Sequence, residues 1–108
     1  MSATVTLKRG DTRTAIRATL KTPAGTSVNL TGATVKFIMV SLRGVVKINR
    51  AADLEDAAAG KVWVVFEASE TNVAGTYNAE FEATFGDGRI ETYPNSGYLS
   101  VAIKPDLG

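Results

Sequence analysis

Val73-Ala74-Gly75-Thr76-Tyr77-Asn78-Ala79-Glu80-Phe81-Glu82-Ala83-Thr84-Phe85 is the stretch on which the fold turns. Ala74-Gly75 makes a corner, and from Tyr77 onward Tyr77, Ala79, Phe81, Ala83 and Phe85 alternate with Asn78, Glu80, Glu82 and Thr84. A side-chain period of two sets one row against a core and the other toward water, the pattern of a half-buried strand. This segment reads as a central strand, and the rest of the chain is built outward from it.

With 108 residues there is room for one hydrophobic core, so one domain over residues 1–108, made of two packed layers, is expected. Twelve basic and eleven acidic side chains leave a net charge of +1, too balanced for a protein that binds nucleic acid by neutralising phosphates. The chain has neither Cys nor His. That excludes disulfides, thiolate metal sites and a Cys nucleophile, and removes the commonest general base. The start, Met1-Ser2-Ala3-Thr4-Val5-Thr6, has no basic region leading into an apolar run, so no secretory signal is expected. Val62-Trp63-Val64-Val65-Phe66 is the longest apolar run, far short of the about 20 residues of a helical membrane span.

Further strands follow from the same alternation. Thr4 to Lys8 places Val5 and Leu7 on one face, and Arg13 to Lys21 sends Ile16, Ala18 and Leu20 inward and Arg13, Arg17 and Lys21 outward. Thr34 to Val40 buries Val35, Phe37 and Met39 but leaves Ile38 and Val40 on its outer face. Val45 to Ala52 returns through Leu42-Arg43-Gly44, with Val46 and Ile48 alternating against Lys47 and Asn49. Asp53 to Gly60 is the segment with helix-forming composition, expected as a helical turn or two ended by Gly60. Lys61 to Glu67 puts Val62, Val64 and Phe66 inward, with Trp63 and Val65 pointing the other way. Ala68 to Asn72 is a polar bridge. Gly86-Asp87-Gly88 is a hairpin signal, after which Arg89 to Tyr93 should return antiparallel beside the central strand. Pro94-Asn95-Ser96-Gly97 breaks the chain, Tyr98 to Lys104 closes it, and Pro105 to Gly108 is a tail. The result is an all-β, antiparallel β-sandwich of seven or eight strands. Gly75 and Tyr77 resemble the tyrosine corner of immunoglobulin-like sandwiches, in which the ring packs inward and the hydroxyl bonds upstream backbone.

Little in this chain resembles catalytic equipment. Asp53, Glu55 and Asp56 form an acidic cluster without the spacing of a calcium loop, and read as a solvated turn. Gly86-Asp87-Gly88 lacks the helix and the Lys of a phosphate loop. Glu80, Glu82 and Glu91 suggest an acidic patch, and paired carboxylates serve glycoside hydrolysis, but nothing in the sequence buries them to raise a pKa. Asn29-Leu30-Thr31 fits the glycosylation triplet without a signal peptide to accompany it. No catalytic, cofactor-binding or metal-binding residue is assigned. Trp63 and Val65, joined by Ile38 and Val40 from a neighbouring strand, instead outline an exposed apolar surface of the kind that marks a protein interface. The alternatives are that the register is inverted locally, that a loop covers Trp63, or that neighbouring Lys and Arg stems shield the indole. Arg13, Arg17 and Lys21 are either a solubilising stripe or a contact for an acidic partner.

Five segments, taken in order, resemble the N-terminal domain of phage baseplate upper proteins. They are Lys8-Arg9-Gly10-Asp11-Thr12, Val28-Asn29-Leu30-Thr31-Gly32-Ala33-Thr34-Val35-Lys36-Phe37, Ala59-Gly60-Lys61-Val62, Ala74-Gly75-Thr76-Tyr77-Asn78-Ala79-Glu80-Phe81 and Gly86-Asp87-Gly88-Arg89. The resemblance implies a non-enzymatic, immunoglobulin-like structural protein of a tailed-phage virion, made in the host cytoplasm. As a tail or baseplate module it would dock onto other virion proteins as part of an oligomeric particle. No cofactor, nucleic acid or membrane is implied. Family members usually continue into a receptor-binding or trimerising part, which a chain ending at Gly108 is not expected to supply. Two further readings are a capsid decoration protein of the same fold and a carbohydrate-binding adhesion module that stacks sugars on Trp63, Tyr93 and Tyr98.

Overall fold

The computed structural model describes residues 4–95 and 97–107. Met1 to Ala3, Ser96 of the expected break and Gly108 of the tail lie outside the described residues. The strands are β1 (Thr4–Lys8), β2 (Ala15–Thr19), β3 (Thr34–Ser41), β4 (Val46–Ala51), β5 (Asp53–Asp56), β6 (Lys61–Val65), β7 (Gly75–Thr84), β8 (Ile90–Tyr93) and β9 (Leu99–Lys104). One sheet runs β1-β9-β7-β3-β4 with β8 also on β7, and the second runs β2-β6-β5.

β7 is the organising strand. One flank pairs with β3 along its length, while the other meets β9 through Gly75 to Ala79 and then β8 through Phe81 to Thr84. Its alternation is realised directly: Tyr77, Ala79, Phe81 and Ala83 are buried, and Asn78, Glu80, Glu82 and Thr84 lie half-exposed between neighbouring strands. The Tyr77 hydroxyl donates to the Val73 carbonyl at 2.7 Å, the bond expected of a tyrosine corner. Phe37, opposite Phe81 on β3, has its ring 5.2 Å from that of Phe81 and 6.4 Å from Phe66 of the facing layer. Side chains of this size each contribute about 1.5–3 kcal/mol on burial, and the Phe37–Phe66 contact is one of those that join the two layers.

The chain departs from the expected sandwich in three places. β1 pairs with β9 in parallel, so the larger sheet is mixed. Asp53 to Asp56 is not helical but a ninth strand, paired with β6, and only Ala57 to Gly60 form a turn. Leu54 opposite Val62 accounts for this, because strand addition beside a buried β6 outweighs the weak local helix preference of Asp-Leu-Glu-Asp. Finally, a bulge beside Met39/Val40 turns Val46 outward, 58% exposed, while Ile48 stays buried.

Two contacts tie the layers at their margins. Buried Ala52 carries the chain from β4 into β5 across the sandwich. Beside it, the Arg50 guanidinium donates to both Glu70 oxygens, at 2.6 and 2.8 Å, and to the Val65 carbonyl at 2.7 Å. Glu70 sits in the 3-10 turn Ala68–Glu70 and also accepts the Glu67 amide at 2.8 Å. The Arg50 hydrogen bond holds the Glu70 carboxyl below its ordinary value, against the opposing effect of burial.

Candidate docking surfaces

Trp63 lies in the middle strand of the smaller sheet, with Arg17 of β2 on one side and Asp53 of β5 on the other. Because Val62 and Val64 are buried, this row faces outward. The indole is nevertheless not bare. The Arg17 guanidinium carbon stands 5.0 Å from the ring centroid, and its Nε reaches Glu55 Oε2 at 4.0 Å. The indole Nε1 is buried without a hydrogen-bond partner among the described residues. Trp63 is thus half-buried beneath a cation, the shielding that Arg stems provide, while Val65 is 40% exposed.

Ile38 and Val40 do not join this face. They point outward from β3, in the opposite sheet, so the sandwich separates them from Trp63 and Val65. Both are half-buried, and the strand register sets Ile38 between Glu80 and Asn49 and Val40 beside Asn78. A single four-residue apolar surface is therefore replaced by two separate ones, because alternation specifies inward and outward but not which sheet a strand enters.

Arg17 and Lys21 are exposed along β2 and its extension, and Arg13 is exposed just before the strand. Arg13 and Lys21 form no ion pair among the described residues. Glu80 and Glu82 share the outer face of the larger sheet, but Glu91 pairs with inward-facing Ala83 and so lies on the other side. Its two oxygens accept the Tyr93 hydroxyl at 3.0 Å and the Asn95 amide at 3.1 Å. Burial, helped by that carboxylate, pushes the Tyr93 hydroxyl up to about 12. Tyr93 is buried and Tyr98 exposed, so Trp63, Tyr93 and Tyr98 make no shared aromatic platform. Asp53, Glu55 and Asp56 bring no group of three metal-ligating side chains together among the described residues. Gly86-Asp87-Gly88 closes the β7–β8 hairpin, with Gly88 at φ 86° and the Phe85 amide donating to the Arg89 carbonyl. In Asn29-Leu30-Thr31, Leu30 is fully buried and the Asn29 side chain accepts the Thr31 amide.

Two surfaces escaped the sequence reading. Leu42, Val45 and Val46 expose apolar side chains at the tip of the β3–β4 hairpin. A groove of about 560 Å³ opens between β2 and the β8–β9 junction, walled by Ala18, Leu20, Phe81, Tyr93 and Leu99, with Lys21 on its border. The tip had a signal, a run of Val beside a Gly turn, whereas the groove joins residues from distant parts of the chain. No helix of the described residues is long and apolar enough to cross a membrane.

No curated protein matches this chain. Among solved structures, CopC from Methylosinus trichosporium OB3b aligns over 99% of this chain and 89% of its own, with a TM-score of 0.58 and 13% identity. At that identity the likeness concerns the fold alone. The BppU N-terminal domain, that of the baseplate upper protein, matches residues 1–94, a span that holds β1 to β8 and all five segments singled out in the sequence. The chain therefore belongs to the BppU N-terminal domain family, structural domains of the bacteriophage baseplate.

Proposed function

We propose that this domain is an attachment module, holding a tail or baseplate component against neighbouring virion proteins through the outer face of its smaller sheet. The family match over residues 1–94 carries the reading. Surface chemistry supports it: Val65, the Arg17-covered indole of Trp63 and the cations Arg13 and Lys21 combine apolar area with Arg and Trp, the residue types that dominate binding hot spots. Incorporation of wild-type and Trp63→Ala chains into purified particles, with tails separated from heads, tests it. Trp63→Ala should lower the amount found in tails while the isolated chain keeps a cooperative melt. Normal incorporation together with a collapse in thermal stability would make the indole a part of the core instead. Recovery of the wild-type chain with heads alone would point to capsid decoration.

A further inference from the structure

The two sheets are unequal, and the groove lies where they differ. In the smaller sheet β2 is an edge strand, paired among the described residues with β6 alone, while β7, β8 and β9 of the larger sheet extend their inner face beneath and beyond it. Phe81, Tyr93 and Leu99 line that extension, and its volume of about 560 Å³ falls within the range of pre-formed binding sites, about 300–1,000 Å³. The open edge is supplied with hydrogen-bonding groups. The Leu20 amide donates to the Gly60 carbonyl on the β6 side at 2.8 Å, so alternation turns the amides of Arg17 and Thr19 to the open side. The charge beside the groove is one-sided as well. Arg13 and Lys21 stand just before and just after β2 and form no ion pair among the described residues, Arg17 within the strand is turned over Trp63 toward Glu55, and Glu91 beside the groove is occupied by Tyr93 and Asn95.

We infer that β2 accepts an extended segment of a partner protein as a fourth strand of the smaller sheet, with apolar side chains alternating with acidic ones. Backbone groups of the incoming strand pair with the free amides and carbonyls of Arg17 and Thr19. Its inward side chains fill the groove over Phe81 and Leu99, and its outward carboxylates meet Arg13 and Lys21. The inference rests on the attachment reading and names the kind of segment attached.

The test uses the full chain and two blocked ten-residue peptides, one alternating Val with Glu and the other Val with Lys. The Glu peptide should bind, more weakly as salt is raised, and should slow hydrogen exchange at the Arg17 and Thr19 amides. Thr19→Pro removes an outward amide without touching the β6 ladder, and Ala18→Leu fills the groove. Each should weaken binding about tenfold or more, the equivalent of one lost hydrogen bond or a blocked side-chain site, while the melt stays cooperative. Absence of binding to the folded wild-type chain, equal binding of the Lys peptide, or protection appearing on β1, β4 or β5 overturns the inference. So does dimerisation of the chain alone that protects the same two amides, which would make a second copy the occupant. Any of these with wild-type incorporation intact leaves the attachment reading standing, whereas absence of the wild-type chain from particles removes that reading itself.

Discussion

Gly60 shows how much can depend on one missing side chain. Its φ of 74° lies in the left-handed region, and a Cβ there would stand 2.6 Å from the Val28 carbonyl oxygen and 3.0 Å from that of Leu20. Those oxygens are backbone and cannot swing away, so Gly60→Ala should cost about 3 kcal/mol or more, read as a lowered urea midpoint. Sequence placed a stop at this glycine for the wrong reason, since it ends a turn between strands and not a helix. Glu70 offers a second test. Its carboxyl is held below the ordinary value of 4.5, so the stabilisation it supplies is complete above that pH and is lost as the pH falls through the lower folded value. Thermal melts of the wild-type chain should therefore drop on acidification below 4.5. Glu70→Gln should already be weaker by about 2 kcal/mol at neutral pH, because it leaves Arg50 half-paired, and should lose less on acidification. An equal acid response in both proteins would show that other carboxyls govern the transition.

Among the elements, β7 and β9 set the boundary of what can fold. The family match ends at Pro94, yet Val101 and Ile103 of β9 are buried, and β9 is the strand that joins β1 to β7. A chain cut after Pro94 should lose its cooperative melt and bind a hydrophobic dye, since β1 is left unpaired and one flank of Gly75 to Ala79 is open. A sharp wild-type-like melt of the shortened chain would contradict this. The strands that alternate strictly were legible because period-two patterning is a local property of the residues themselves. β5 was not, since Asp53-Leu54-Glu55-Asp56 has no strand preference of its own and becomes a strand through β6.

For the whole molecule, the two outer faces are separated by the sandwich, so the proposed attachment through the smaller sheet is directional. Val65→Lys on the smaller sheet should reduce incorporation into tails, and Glu82→Lys on the larger sheet should leave it unchanged, both chains melting normally. The reverse result would transfer attachment to the face carrying Ile38 and Val40. Alternation of apolar residues, the Gly-Tyr corner at Gly75 and Tyr77 and the hairpin signals at Gly44 and Gly88 determined the sandwich, its central strand and most of its core from the sequence alone. Each is written within a few consecutive residues. Tertiary structure decided what those residues could not record: the removal of Ile38 and Val40 from the face of Trp63, the Arg17 lid over the indole, the pairing of Arg50 with Glu70 and the groove beside β2. These depend on which sheet each strand enters and on the two sheets having unequal numbers of strands, and both are set by packing between segments far apart in the chain.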